Sequence, residues 1–223
     1  MERAIVKRYF QVMFNLVFLS AILFIAGGTI YWGWAWLFII FSLINLLINA
    51  LVLPREVIAE RGRVKLNVKS WDKVLTSVAK VLTVSMYLIA GLDYRYMWSY
   101  AQPPTIHLIG LGLTFGGSAL FTWAMTANPY FSTAVRIQAE RGHNVATGGP
   151  YRYVRHPGYL GHIMMTIGTP LALGSLYALA LALLVGVVMI IRTALEDKML
   201  TNELTGYQAY KEQVHYRLLP LIW

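Results

Sequence analysis

The chain has no cysteine, which excludes disulfides, thiolate nucleophiles and Cys-based zinc or iron–sulfur sites. Charge is scarce as well. Asp, Glu, Lys and Arg make up 13% of the 223 residues, about half the share usual in soluble domains. In their place stands an apolar fraction of 57%, a composition that argues against a water-soluble globule. Acidic residues are the scarcer charged class: 10 Asp and Glu against 19 Lys and Arg give a formal charge of +9. That excess suits nucleic-acid binding in a polar protein, whereas in an apolar one its meaning depends on where the charges fall. No internal repeat, low-complexity tract, strand, phosphate-loop motif or dinucleotide fingerprint is evident.

What the chain does have is a series of apolar runs near the roughly 20 residues that a bilayer demands. Residues 12–30, flanked by Arg3, Lys7 and Arg8, are followed by no small-residue cleavage site and read as a span, not a signal peptide. Residues 31–53 follow a turn at Gly27-Gly28 and are closed by Pro54. Residues 74–92 and 106–127 form two more runs, and 159–173 and 176–191, separated by Gly174-Ser175, predict a tight helical hairpin. The expectation is an all-α polytopic membrane protein of about six transmembrane helices, with an amphipathic helix over 201–216. It divides into a four-span region, 1–127, and a C-terminal region, 128–223, that carries the polar chemistry. Basic residues cluster before the first span and after the second, fourth and sixth, while the other face has only Arg95. By the positive-inside rule both termini and any active site are cytoplasmic, in the cell membrane, the inner one in a prokaryote. Topology therefore accounts for the +9, and no nucleic-acid partner is needed. On the outer side, Tyr94, Tyr96, Trp98 and Tyr100 read as an interfacial aromatic belt. Gly112 and Gly116 form a small-xxx-small pair suited to close helix packing.

The densest polar information runs from Gly142 to Gly161. Its Gly and Pro content precludes a regular helix up to Pro157, where a helix starts with Pro at its first position. Such a start offers unpaired N–H groups and partial positive charge to a carboxylate or phosphate. Either a ligand site or a positive-inside anchor ahead of a Pro-started helix accounts for this composition. Arg192 and Glu196, four residues apart, share one helix face. They read either as a salt bridge ending the span or as a guanidinium fork for a substrate carboxylate beside an acid for a polar ligand. Asp197 and Lys198 read as a solvated face, Asp93 and Arg95 as solvated loop charges, and Lys80 as a snorkelling side chain. His107, His162 and His215 have no companions at metal-ligand spacing, so no metal site is expected; His162 alone is near the candidate site.

Gly149-Pro150-Tyr151, then Arg155-His156-Pro157-Gly158-Tyr159-Leu160-Gly161, then 192–200 with Glu196-Asp197, then Gly206-Tyr207-Gln208-Ala209-Tyr210-Lys211 form an ordered set. Together they resemble the integral-membrane isoprenylcysteine carboxyl methyltransferases and their prokaryotic relatives, and more loosely the phospholipid N-methyltransferases. The resemblance covers 128–223; the first four spans match only in being apolar. It implies S-adenosylmethionine-dependent methyl transfer to a lipophilic or prenylated acceptor at the cytoplasmic face. It further implies that Gln138, His143, Asn144, Val145, Ala146, Tyr151, His156, Pro157, Gly158 and Tyr159 enclose the cofactor, that Glu196 contacts it, and that Arg192 faces the acceptor. Gln138 is the least fixed of these, because the loop between that glutamine and the histidine varies in length within the family.

The chemistry of the residues agrees. Backbone N–H groups and His156 suit the cofactor's carboxylate, the rings of Tyr151 or Tyr159 suit its sulfonium or adenine, and Glu196 suits its amino or ribose groups. An acceptor carboxylate is ionised at pH 7 and needs no base, whereas an amine would require one, with Glu196 and His156 as candidates. Two other readings stand beside this one. An NADPH-dependent membrane reductase of the sterol type shares an Arg-His-Pro-x-Tyr-x-Gly element but has Asn and an acid where this chain has Gly158 and His162. A non-catalytic membrane scaffold or carrier would bind no nucleotide-like ligand.

Overall fold

The computed structural model describes residues 1–99 and 101–223. Eight α-helices follow one another: α1 Glu2–Gly27, α2 Gly33–Val52, α3 Arg55–Gly62, α4 Ser70–Tyr96, α5 Pro104–Ala127, α6 Pro157–Leu173, α7 Leu176–Glu203 and α8 Tyr207–Gln213. Two short 3-10 turns, Ala139–Arg141 and Gly149–Arg152, lie between α5 and α6, and no strand occurs among the described residues. Helices α1, α2, α4, α5 and α7 are long and apolar enough to cross a membrane, so the chain is an all-helical polytopic membrane protein. Its exposed faces carry large apolar side chains such as Phe10, Phe14, Leu47, Phe115 and Leu183, which in water would be a liability and in lipid are the solvated surface.

The expected hairpin is α6 and α7. Gly174 turns it with φ 77°, and the Ser175 hydroxyl caps α7 by accepting from the Ala178 N–H at 3.1 Å. Helix α6 has only 17 residues, about 25 Å at 1.5 Å per residue, shorter than the roughly 30 Å hydrocarbon layer. Helix α7 does the opposite, continuing three turns past the expected end of its apolar run to Glu203. The expected amphipathic helix is correspondingly reduced to α8, packed through Tyr207 and Tyr210 against Ala124, Tyr151 and Leu204.

Glycines set the depth of α6 against α5, though not the expected pair. A Cβ at Gly112 would meet nothing within 4 Å, and one at Gly116 only Met164 at 3.5 Å. One at Gly117 would lie 2.6 Å from the Gly161 carbonyl oxygen, and one at Gly110 would lie 2.1 Å from the Ala172 nitrogen. The two helices touch backbone to backbone along that line. Gly117→Ala is therefore expected to cost about 1–3 kcal/mol of stability through forced separation, while Gly112→Ala costs essentially nothing. Thermal unfolding in detergent checks this, and equal midpoints for the two variants would refute it.

At the end away from the 54–73 and 128–157 segments, Asp93 is buried rather than solvated. It accepts from the Ser99 N–H at 2.7 Å and from the Ser99 and Ser175 hydroxyls. Helix α4 runs past Asp93 to Tyr96, which leaves the carboxylate facing the start of α7 and gives it donors there. Tyr94 stacks on Trp32 at 4.1 Å, Tyr96 on Trp98 at 5.8 Å, and Trp98 meets Tyr177 edge-on; Tyr100 lies outside the described residues. At the opposite end, buried Glu60 of α3 accepts from Lys65 at 2.7 Å and Arg136 at 3.1 Å. Burial alone would raise its pKa, but those donors hold the carboxyl below the usual carboxylate range. Asp72 of α4 accepts from the Val135 N–H at 2.9 Å. The 128–157 segment is thus pinned to α3 and α4 at one end of the bundle.

Candidate active site

Between that pinned segment, the start of α6, the last turns of α7 and α8 lies a cleft of about 780 Å³, partly open to solvent. Gln138, His143, Asn144, Val145, Ala146, Tyr151, His156, Gly158, Tyr159 and Glu196 all line it. The structure therefore brings ten of the expected site residues to one cavity from four separate stretches of chain. Pro157 does not line it. Buried at the first turn of α6, it fixes where that helix begins.

Each lining side chain is held by local partners. Gln138 is buried, its amide donating to the Tyr130 carbonyl at 2.6 Å while its oxygen accepts from Arg141 at 2.6 Å. His143 tilts against the Tyr130 ring at 4.6 Å and accepts from the Gln138 N–H at 3.3 Å through Nδ1. Burial, followed by the charges of Arg136 and Arg141, pushes its pKa below the usual value, so the imidazole is neutral at pH 7. The Tyr151 hydroxyl accepts from Asn128 at 3.3 Å, and burial pushes its pKa up, which keeps it protonated. Tyr159 stacks on His156 with ring centroids 5.7 Å apart, and its hydroxyl donates to Glu196.

Two side chains depart from the expected arrangement. Arg192 does not pair with Glu196. Its Nε donates to Asp72 at 2.6 Å and Nη2 to the Thr133 carbonyl at 3.4 Å, and the guanidinium lies over the Tyr159 ring at 5.0 Å. Arg192 is buried behind Tyr159, on the membrane side of the cleft, while Glu196 one turn later reaches the cleft itself.

Asp197, expected on a solvated face, is 1% exposed. It accepts from Arg155 at 2.8 and 3.2 Å, from Arg217 at 3.0 Å and from the Tyr207 hydroxyl at 2.9 Å, with His156 Nε2 at 3.3 Å. The adjacent acids of α7 therefore point apart, as a 100° step per residue dictates. One faces the cleft, and the other ties α6, α8 and the C-terminal tail together. The signal for Asp197 was present in the sequence: Ala178, Ala182, Val185, Met189 and Thr193 are buried at steps of three and four, and Asp197 is the next in that stripe. Asp72 carried no such signal, because its partner lies 120 residues away.

The arrangement is one acid in a cleft whose other walls mix amide, imidazole, phenol and guanidinium groups with apolar side chains such as Phe131, Val145 and Leu200, with no group of three or more His, Cys, Asp or Glu able to hold a metal among the described residues. Residues 105–205 match the family model described as phospholipid methyltransferase. Among curated proteins, the protein-S-isoprenylcysteine O-methyltransferase of Schizosaccharomyces pombe is 29% identical over 106 residues, 48% of this chain and 41% of that protein. The probable protein-S-isoprenylcysteine O-methyltransferase of Oryza sativa subsp. indica is 35% identical over 69 residues, 30% of this chain and 36% of that one. Protein-S-isoprenylcysteine O-methyltransferase A of Arabidopsis thaliana is 33% identical over 93 residues, 40% of this chain and 47% of its own length. The chain spans less than half the length of the curated relatives it matches. Over residues 105–205, which carry nearly all of α5, most of the cleft and α7, this chain is similar to the phospholipid methyltransferase family, and in parts of its sequence to the isoprenylcysteine O-methyltransferases.

Proposed function

We propose that this chain is a membrane methyltransferase that takes its methyl group from S-adenosylmethionine and transfers it to the carboxylate of a lipophilic, prenylcysteine-like acceptor. The observation that carries the reading is the cleft in which Glu196, the single acid, is framed by Tyr159 and His156, with Arg192 directly behind Tyr159. The donor set fits the cofactor. The aromatic rings of the cleft suit a cation or a base, and its one carboxylate suits an amino or ribose group. When bound, the cofactor supplies an electrophilic methyl on a sulfonium.

In this reading Glu196 holds the cofactor's polar groups, the Gly158 N–H in the first turn of α6 together with the His156 side chain receives its carboxylate, and Tyr151 and Tyr159 offer ring faces. Gln138 acts indirectly, by holding the loop through Tyr130 and Arg141, and His143 to Ala146 close the outer wall. Arg192, fixed by Asp72, retains Nη1 without a protein partner among the described residues and orients the acceptor carboxylate. That group is already ionised and needs no base, so positioning supplies the rate enhancement, worth about 7–11 kcal/mol where the attack geometry is held. The clustering of Arg3, Lys7, Arg8, Arg55, Arg61 and Arg155 toward this end of the bundle supports a cytoplasmic cleft and cytoplasmic termini.

Calorimetry on detergent-purified protein tests the reading. S-adenosylhomocysteine is expected to bind saturably and NADPH not to bind. Arg192→Ala is expected to retain that affinity while losing at least 100-fold in turnover of a prenylcysteine acid. Saturable NADPH binding without S-adenosyl binding would replace the proposal with the reductase.

A further inference from the structure

Arg61, at the end of α3, is a side chain near the site with no countercharge among the described residues. It is half-buried, its guanidinium lies 5.4 Å from the Phe121 ring centre and 5.3 Å from that of Phe131, and among the described residues no carboxylate or carbonyl accepts a hydrogen bond from it. The acid next to it in sequence, Glu60, points away to Lys65 and Arg136. The charges that act on Arg61 are Arg8 and Arg192, both positive. Arg8 is held close because α3 lies directly on α1: a Cβ at Gly62 would sit 2.0 Å from the Ala4 carbonyl oxygen and 3.1 Å from the Arg8 Cβ. Arg8 has no ion pair among the described residues either. Burial, with these neighbours, lowers the Arg61 pKa to about 9, still above neutral, so an unneutralised cation remains.

Arg61 lines neither cavity itself, but it neighbours a residue of each, Phe131 by contact and His162 by charge. Phe131, one of the rings beneath Arg61, lines the cleft. On the other side, a cavity of about 730 Å³ lies between α2, α4, α5 and α6, and polar groups from Ser42, Asn45, Tyr87, Ser118, His162 and Thr166 line it within the bundle. The His162 imidazole has no hydrogen-bond partner among the described residues, and its charged neighbours are Arg192 and Arg61. Arg192 has given its Nε to Asp72, whereas every donor of Arg61 is uncommitted.

We propose that Arg61, backed by Arg8, is a second cationic anchor for the acceptor, taking the carboxylate of an acidic lipid over the Phe121 and Phe131 rings, beside the wall of the cleft. The role as acceptor anchor rests on the methyltransferase reading; the anion site itself does not. A carboxylate held there forms the new O–CH3 bond as the S–CH3 bond breaks, the electron pair stays on sulfur, and no proton moves. The product is a neutral ester, so methylation removes the ion pair that held the acid and favours release. An ammonium-bearing acceptor would meet three guanidinium groups at the same place.

The test uses the full chain in phosphatidylcholine nanodiscs and equilibrium binding of an amine-blocked S-prenylcysteine, as free acid and as methyl ester. The unaltered protein is expected to prefer acid over ester by about 10- to 100-fold, the scale of a charge-assisted hydrogen bond. Arg61→Gln is expected to cut that ratio by about 10-fold, leaving the part that Arg192 supplies, while ester and S-adenosylhomocysteine affinities stay unchanged, and Arg61→Lys to restore part of it. An acid preference undiminished in Arg61→Gln, or none in the unaltered protein, overturns the proposal. Equimolar competition by phosphatidylglycerol as strong as that of the acid itself would assign the site to a headgroup phosphate and overturn the acceptor role. A ratio that depends on Arg61 in a protein with no S-adenosyl binding would sustain the anion site and overturn the methyltransferase reading.

Discussion

Replacing Glu196 with alanine is expected to lower S-adenosylhomocysteine affinity by at least 100-fold, with little effect on the unfolding midpoint. Its carboxylate lines the cleft and accepts from the Tyr159 hydroxyl, and among the described residues it makes no direct ion pair, Arg192 being paired with Asp72. The loss is therefore one of ligand contact, where a hydrogen bond to a charged group is worth about 1.5–3 kcal/mol and the freed Tyr159 ring loses its fixed orientation beside His156. Glu196→Gln keeps the size and the Tyr159 partner but removes the charge, and should fall between the two. Isothermal calorimetry distinguishes the three proteins, and undiminished affinity in the alanine variant would remove Glu196 from the site.

Asp197→Ala is expected to do the reverse, lowering stability by about 3–5 kcal/mol, the usual cost of breaking a buried ion pair from one side. Arg155 would keep only the Val214 and His215 carbonyls, both within 2.8 Å of its Nη1, while its other nitrogens, Arg217 Nε and the Tyr207 hydroxyl would lose their acceptor. Asp197→Asn preserves the shape and leaves the positive charge uncompensated, so it should recover only part of the loss. Thermal unfolding in detergent measures both. A midpoint for Asp197→Ala equal to that of Glu196→Ala would contradict the division of labour between two acids adjacent in sequence.

That division shows what the sequence made legible. The apolar runs, the Gly174-Ser175 turn and the helix start at Pro157 follow from composition and from the conformational limits of Gly and Pro, and they appear in the structure close to where those limits put them. The residues gathered around the cleft were accessible because they form a local ordered set. Features that depend on which helix faces which were not. Gly112 and Gly116 have the spacing of a packing motif, yet Gly110 and Gly117 make the contact, because the rotation of α5 is set by α6 and the 3.6-residue period alone does not choose it. Asp93 and Asp72 found their partners, Ser175 and Arg192, 82 and 120 residues away. Asp93 reads as a loop charge, and Asp72 stands out in no way, until the neighbouring helices supply donors.

The N–H groups of Arg155 and His156 donate to the carbonyls of Tyr216 and Arg217, each at 2.9 Å. During synthesis the stretch ahead of α6 therefore waits for its backbone partners until some sixty further residues have left the ribosome. The cleft is consequently completed only after every membrane-crossing helix has emerged, and a nascent chain stalled at the end of α7 would be anchored in lipid with one wall of that cleft still unfixed.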